Sequence, residues 1–263
     1  MTTFIEVKNV TLDIPIYDAS KSFRTSMLKY CTGGTILQNS KQDNDSGRSA
    51  HVSVRALDNI SIRLEKGDRL GLIGHNGAGK TTLLRVLAGV YKPLSGHVTH
   101  AGKVTPLFNM SLGMDIDDTG ADNIATIGLH LGMKPEEIKA KREGIIAFSG
   151  LGDFIGLPVR TYSMGMQLRL CFAIATALEP QILLLDEGIA AGDMQFTEAA
   201  RDRLENFYQK LDILVIASHS ESLIKQLCNK ALLLEHGKVI AQGQVDDVLG
   251  IYHKRAVNVQ VPI

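Results

Sequence analysis

The sequence predicts an α/β fold built on a parallel β-sheet, and three observations support this class. Short apolar runs in the second half of the chain alternate with helical patterns, which is typical of a parallel sheet covered by helices on both faces. A glycine-rich loop at residues 74–81 lies between a strand pattern and a helical pattern. The chain has 263 residues, enough for one large α/β domain or for a core with a smaller subdomain.

The first half of the chain begins with strand patterns. An alternation of apolar and polar residues at 4–10 predicts a half-buried strand. Between about residues 18 and 53 the pattern is lost, and polar runs around two adjacent glycines indicate an exposed insertion. Gly96 and Gly102 each introduce a short strand pattern, and together these predict a β-hairpin. The other strands predicted in this half are 12–16, 54–64 and 69–73.

Helical patterns dominate from about residue 113 to residue 162. Pro135 is followed by two glutamates, and a proline with acidic neighbours is typical of the first turn of a helix. Beyond this region helices again alternate with apolar strands. The elements predicted there are helices at 166–178 and 197–209 and strands at 182–185 and 213–217.

Residues 74–81 have the form GxxxxGK[ST], which is a phosphate-binding loop. Glycines allow the backbone to curl so that its N–H groups point at phosphate oxygens, and the following helix directs its positive end at the same anion. Lys80 is predicted to contact the β- and γ-phosphates as a catalytic group, and Thr81 to ligate Mg²⁺. The residues predicted to hold the nucleotide in this segment are Gly74, His75, Asn76, Gly77, Ala78, Gly79, Lys80, Thr81 and Thr82.

Further chemical groups lie at the ends of later elements. An apolar strand can deliver Asp186 to the Mg²⁺ beside the loop, while Glu187 can orient or deprotonate the attacking water. His219 follows the next strand, at the sheet edge where α/β proteins bind ligands. Ser163 is a good N-cap for the helix before these strands, and Gly165 permits a ligand to approach the backbone closely.

Composition narrows the function classes. Lys plus Arg and Asp plus Glu each number 28, so the formal net charge is zero and nucleic acid is not the expected partner. The three cysteines are far apart, which excludes a disulfide framework or a CxxC metal site. No targeting segment is evident, and the longest apolar stretch has nine residues, about half of what crosses a bilayer. We therefore expect a chain that reaches a membrane only by docking onto another protein.

The motifs, in this order, resemble those of the ATP-binding cassette family, the nucleotide-hydrolysing part of ABC transporters. Residues 74–81 resemble its Walker A loop and residues 182–187 its Walker B strand. Residues 163–167 resemble the LSGGQ signature, residues 191–193 the D-loop, and His219 the switch histidine. The resemblance implies a RecA-like P-loop NTPase core with a parallel sheet, an N-terminal antiparallel β subdomain and an inserted helical subdomain.

The resemblance also implies a division of the chain and an assembly. The cassette is expected at residues 1–245, with its helical subdomain at about 110–178, and a short tail at 246–263. ATP is expected between two head-to-tail copies, where Ser163 and Gly165 of one copy face the phosphate loop of the other. A homodimer is the simplest arrangement because the chain has one cassette. The further partners would be integral-membrane permease subunits, at the cytoplasmic face of the inner membrane.

A narrower resemblance is to the ATPases of polysaccharide exporters. It lies in the signature Tyr-Ser-Met-Gly-Met and in the segment Asp-Glu-Gly-Ile-Ala-Ala-Gly-Asp that begins in Walker B. Such ATPases energise export of lipid-linked O-antigen, capsule or teichoic acid chains through a separate membrane subunit. Because the sequence ends at Ile263, it resembles the short form without a C-terminal carbohydrate-binding domain.

The sequence departs from the family pattern at several positions. Met164 stands where the family has a small residue, and this side chain could crowd the dimer contact. No glutamine occurs where the family has its Q-loop, and Asn109 is the candidate for that place and for a further Mg²⁺ ligand. Tyr17 is the candidate for stacking on adenine, with Phe23 and Tyr30 as alternatives.

Three other functions compete with polysaccharide export. An ABC importer, or an ABC transporter of another cargo, fits the same motifs. A soluble cassette protein that acts on ribosomes or DNA generally needs two cassettes in one chain, or long coiled coils. A kinase or GTPase leaves the signature and His219 unexplained, and the Asn-Lys-x-Asp motif of GTPases is missing because Ala231 and Leu232 follow Asn229-Lys230.

Overall fold

The computed structural model has two compact units, and the second is an insertion in the first. One unit comprises Met1–Gly102 with Val215–Ile263, and the other comprises Lys103–Leu214. The residues described by the structure are 2–16, 35–38, 52–108, 113–186 and 198–259.

Among these described residues the strands form two sheets, one of four strands and one of six. The orders are β2-β3-β1-β5 in the first and β10-β9-β4-β8-β7-β6 in the second. The strands are β1 (Phe4–Ile16), β2 (Thr35–Gln38), β3 (Val52–Glu65), β4 (Arg69–Ile73), β5 (Ser95–Ala101), β6 (Val104–Leu107), β7 (Ile182–Asp186), β8 (Ile213–Ala217), β9 (Lys230–Glu235) and β10 (Lys238–Gly243).

The four-stranded sheet is antiparallel throughout. The long strand β1 buries Ile5, Val7 and Val10 on one side, as its apolar alternation predicts. Its register shifts after Val7, where Asn9 adopts a positive φ of 51° and its Oδ1 accepts a hydrogen bond from the Ser61 hydroxyl. A residue inserted into one strand bends the pair, so the predicted strands at 4–10 and 12–16 are one bulged strand.

The pairings of the six-stranded sheet are mainly parallel. In the first unit β4 pairs in parallel with β9, which pairs antiparallel with β10. In the second unit β6 pairs in parallel with β7. Strands β4, β7, β8 and β9 are almost wholly buried, as expected for continuous apolar runs covered on both faces. The predicted α/β class with a parallel sheet is confirmed.

Helices make up most of residues 120–175. Three of them, α2, α3 and α4, pack against one another in the second unit and bury Ile124, Ile145 and Phe172. Burial also raises the pKa of the Cys171 thiol to about 12, so this cysteine is a protonated core residue. The helices are α1 (Lys80–Leu87), α2 (Gly120–His130), α3 (Pro135–Ser149), α4 (Met164–Ala175), α5 (Glu198–Gln209), α6 (Glu221–Leu227) and α7 (Val245–Val259).

The predicted hairpin is wrong. Residues on either side of Gly102 do not form a hairpin, because β5 pairs antiparallel with β1 and β6 pairs in parallel with β7. Gly102 has a φ of 119°, and its turn leads the chain from one sheet to the other. Within the insertion predicted at about 18–53 the structure has β2, a four-residue strand paired with β3. Its short Thr-Ile-Leu-Gln pattern gives no periodic signal.

No helix among the described residues is both long enough and apolar enough to span a bilayer.

Candidate nucleotide-binding site

The phosphate-binding loop connects the buried strand β4 to helix α1. Gly79 is the N-cap of α1 and has a φ of 108°, a left-handed conformation that glycine adopts without strain. It has no side chain to cap the helix, so the first N–H groups of α1 are not satisfied by a cap. A helix N-terminus of this kind attracts phosphate through its N–H groups and its dipole.

Gly74 and Gly79 must be glycines for two reasons: each has a positive φ, and backbone atoms of other segments lie too close for a side chain. A Cβ at Gly74, which has a φ of 149°, would collide with the Leu234 carbonyl oxygen. A Cβ at Gly79 would lie 2.9 Å from the Ala56 carbonyl oxygen. Side chains at these positions would therefore displace the loop from its supports.

The side chain of Lys80 lies inside the loop. It is only 8% exposed, and its Nζ donates hydrogen bonds to the carbonyl oxygens of Gly74 at 2.6 Å and His75 at 3.1 Å. These contacts hold the ammonium among the backbone groups that would surround a phosphate. Its positive charge is therefore preorganised, which makes its stabilisation of developing negative charge effective.

The turn between β9 and β10 packs against the phosphate-binding loop, and the sequence analysis did not predict this contact. The Gly237 N–H donates to the Ala78 carbonyl oxygen at 3.0 Å, and the Gly237 carbonyl accepts from the Asp58 N–H at 2.8 Å. Gly237 has a φ of 77°, and a Cβ there would lie 2.6 Å from the Ala56 carbonyl oxygen. The available signal was a His-Gly pair between an apolar run and a second strand pattern.

The remaining residues of the loop differ in exposure. Ala78 is buried, whereas Asn76 and Gly77 are exposed. Thr81 and Thr82 lie in the first turn of α1 and are half-buried. The structure thus brings together in one loop and helix start all nine residues predicted from Gly74 to Thr82.

The other predicted site residues are divided between the two units. His219 belongs to the first unit, two residues after β8, and is exposed. Asp186 is the last residue of β7 in the second unit and is half-buried. Ser163 is the N-cap of α4, also in the second unit, and its Oγ accepts a hydrogen bond from the Met166 N–H at 3.3 Å. The N-cap predicted at Ser163 is therefore confirmed.

Three predicted residues lie outside the described part of the chain. These are Glu187 (the proposed water-orienting carboxylate), Tyr17 (the proposed adenine contact) and Asn109 (the proposed Q-loop residue). The D-loop segment at 191–193 lies outside it as well.

The comparison with protein families identifies the region that contains these motifs. Residues 57–190 match the family model described as ABC transporter. This match extends from β3, through the phosphate-binding loop and the N-terminus of α4, to just beyond β7.

Two curated proteins are similar over most of the chain. The O-antigen export system ATP-binding protein RfbE of Yersinia enterocolitica is 47% identical over 240 residues, which are 91% of this chain and 97% of that protein. The O-antigen export system ATP-binding protein RfbB of Myxococcus xanthus is 35% identical over 243 residues, which are 92% of this chain. The chain spans only 55% of the length of that second relative.

A solved structure shows the same fold. It is an ATP-binding cassette described as dimeric, in a post-hydrolysis state and bound to ADP and phosphate. It superposes with a TM-score of 0.59 at 17% identity, covering 92% of this chain and 98% of that one. Together with the family match and the geometry of the loop, this likeness leads to one conclusion. The chain belongs to the ABC transporter family and is one of its ATP-hydrolysing cassettes.

Proposed function

We propose that this chain powers export of a lipid-linked cell-surface polysaccharide, of the O-antigen type, through a separate membrane permease. The observation that supports this cargo is the 47% identity to an O-antigen export ATP-binding protein along 97% of that protein's length. The similarity extends over nearly the whole length of the relative, so it is not confined to the nucleotide-binding motifs.

The roles of the site residues follow from their chemistry. Lys80 neutralises charge on the β- and γ-phosphates, Glu187 orients the attacking water, and His219 contacts the γ-phosphate. The Thr81 hydroxyl and the Asp186 carboxylate are oxygen ligands of the kind that Mg²⁺ prefers, so these residues fit the ion. Mg²⁺ bound there would neutralise negative charge on the phosphate oxygens.

We further propose that each ATP-binding site is completed by a second copy of the chain. Ser163 and Gly165 lie at the start of α4, whose N–H groups and dipole favour a γ-phosphate presented by the other copy. A Cβ at Gly165 would meet no described atom closer than the Ser163 Oγ at 3.9 Å, so packing among the described residues does not require glycine there. We propose instead that Gly165 has no side chain because a ligand or a partner approaches its backbone closely. Met164, 72% exposed beside it, would lie in the same contact.

Exposed apolar side chains in the second unit form our proposed contact with the permease. Ile116, Phe154 and Leu157 are 55%, 52% and 45% exposed. Backbone hydrogen bonds hold them in neighbouring segments: the Arg160 N–H donates to Ile116, and the Gly120 N–H donates to Leu157. Contiguous exposed apolar surface is typical of a protein contact, and we propose that these three side chains contribute to one.

Replacing Ser163 by arginine should prevent ATP-dependent dimerisation while leaving ATP binding by the single chain intact. The guanidinium would fill the space that the partner's phosphate needs. The measurement is light scattering after gel filtration with ATP, compared with fluorescent-nucleotide binding. Thr119→Arg is the matched control, because Thr119 is also an N-cap in the same unit but lies outside the proposed contact. An unchanged dimer for Ser163→Arg would contradict this arrangement.

The proposed cargo is tested in the organism that encodes the chain. Deleting the gene should leave the polysaccharide synthesised but retained inside the cell, and a plasmid with the wild-type gene should restore it to the surface. The Lys80→Ala variant, made in equal amount, should fail to restore it. Normal surface polysaccharide in the deletion strain, with loss of uptake of a solute instead, would show that the transporter is an importer.

A further inference from the structure

We propose that His75, Glu235 and His236 bind one transition-metal cation beside the phosphate-binding loop, and that Zn²⁺ fits this set of ligands best. One potential ligand atom from each of these three side chains lies within 4.8 Å of the other two. All three residues belong to the first unit, so the cluster is formed within one compact part of the chain. This cluster has no part in the ATP chemistry proposed above, apart from sharing His75 with the loop.

The strand register explains why these side chains meet. Strands β4 and β9 run in parallel, and Ile73 is paired with Leu233. Strand β4 ends at Ile73 and β9 ends at Glu235, so His75 and Glu235 both lie at the same end of this strand pair. His236 follows directly in the turn, where it adopts a positive φ of 49°, and its ring centroid lies 5.2 Å from that of His75.

Backbone contacts hold the two segments at a fixed separation. The Gly237 N–H donates to the Ala78 carbonyl oxygen at 3.0 Å. Gly74 packs so closely against the Leu234 carbonyl that no Cβ would fit between them. The ligand-bearing residues are next to these anchored positions, so only side-chain rotation is needed to close the cluster around an ion.

Neighbouring groups orient two of the three ligands. The His75 Nδ1 lies 2.7 Å from the Asn76 carbonyl oxygen, which can only accept, so Nδ1 is the donor and Nε2 is the ring nitrogen that could bind a cation. The Arg255 guanidinium donates to Glu235 Oε2 at 2.6 Å and leaves Oε1 for a cation. Hydrogen bonds that fix the ring and the carboxylate of a ligand in this way are a regular feature of metal sites.

The donor set favours Zn²⁺ over the Mg²⁺ expected with ATP. Two imidazoles and one carboxylate form a common open zinc site, in which water takes the fourth position. Mg²⁺ prefers oxygen ligands in octahedral geometry, which this cluster does not provide. The carbonyl oxygen of His75 also accepts a hydrogen bond from Lys80 Nζ at 3.1 Å, so the proposed site directly adjoins the ATP-binding lysine.

The test is calorimetric titration of Zn²⁺ into the full-length, nucleotide-free protein in the presence of excess Mg²⁺. We expect one Zn²⁺ per chain, and a loss of affinity of at least about tenfold in His236→Asn and in Glu235→Gln. Asparagine is chosen because it tolerates the positive φ at this position. His100→Gln, an exposed histidine on β5, is the matched control and should bind like the wild type.

A second probe separates loss of the site from loss of the fold. Co²⁺ in place of Zn²⁺ should give the visible absorption of a four-coordinate ion in the wild type and in His100→Gln, but not in His236→Asn. Circular dichroism must show the same folded state for all variants. The proposal is overturned if saturable Zn²⁺ binding is absent from the wild type, or if His236→Asn and Glu235→Gln bind Zn²⁺ as tightly as the wild type does.

Discussion

Replacing Lys80 by alanine is expected to lower ATP hydrolysis by about 10²- to 10³-fold, the usual effect of removing one preorganised charge donor from a reaction site. The Lys80 ammonium is buried in the loop and held by the carbonyls of Gly74 and His75. Alanine removes the charge and leaves these carbonyls without their donor. ATP binding should weaken as well, because the ammonium contacts the phosphates in the ground state.

The measurement is steady-state phosphate release together with equilibrium binding of a fluorescent ATP analogue. Lys92→Ala is the matched control, since Lys92 is exposed and lies beyond helix α1. Thermal unfolding of Lys80→Ala should show that the variant is folded. Wild-type hydrolysis by a folded Lys80→Ala protein would refute the assignment of residues 74–81 as the catalytic phosphate loop.

Replacing Glu187 by glutamine should lower turnover by about 10²- to 10⁴-fold while leaving ATP binding intact. Glutamine has nearly the same shape as glutamate but cannot take a proton from water. The ground state loses no phosphate contact, so the variant should accumulate with ATP bound. This combination distinguishes Glu187 from Lys80, whose replacement weakens both binding and turnover.

The expected readout is a low rate of phosphate release with an unchanged dissociation constant for ATP. Glu205→Gln provides the control, because Glu205 is an exposed glutamate on α5 in the same unit. If Glu187→Gln hydrolyses ATP at the wild-type rate, another group orients the water and the proposed role of Glu187 is wrong.

The sequence was most informative where continuous apolar runs end at a polar or glycine residue. Strands β4 and β8 were predicted with the bounds that the structure has, and helix α3 begins at Pro135 as predicted. Such runs are buried on both sides, so their length and their ends are determined by local composition. The same holds for residues 74–81, whose glycines and lysine are required by local geometry.

Features that depend on pairing between residues far apart in the sequence could not be predicted from local patterns. A glycine turn between two short strand patterns fits a hairpin and a crossing between sheets equally well, and at Gly102 the crossing is the correct one. The supports of the phosphate loop come from Ala56, Leu234 and Gly237, which are distant from it in sequence. Their contacts with the loop arise from packing between distant segments, and although the His236-Gly237 pair indicates a turn, it does not show that the turn meets the loop.

We propose that the ATP site is completed only when two copies of the chain close over two nucleotides. The most direct measurement is the mass and nucleotide content of the Glu187→Gln protein, separated by gel filtration with ATP and Mg²⁺. We predict a dimer that contains two ATP molecules, and a monomer when ATP is omitted. A monomer that holds its own ATP at saturating nucleotide and high protein concentration would contradict the account.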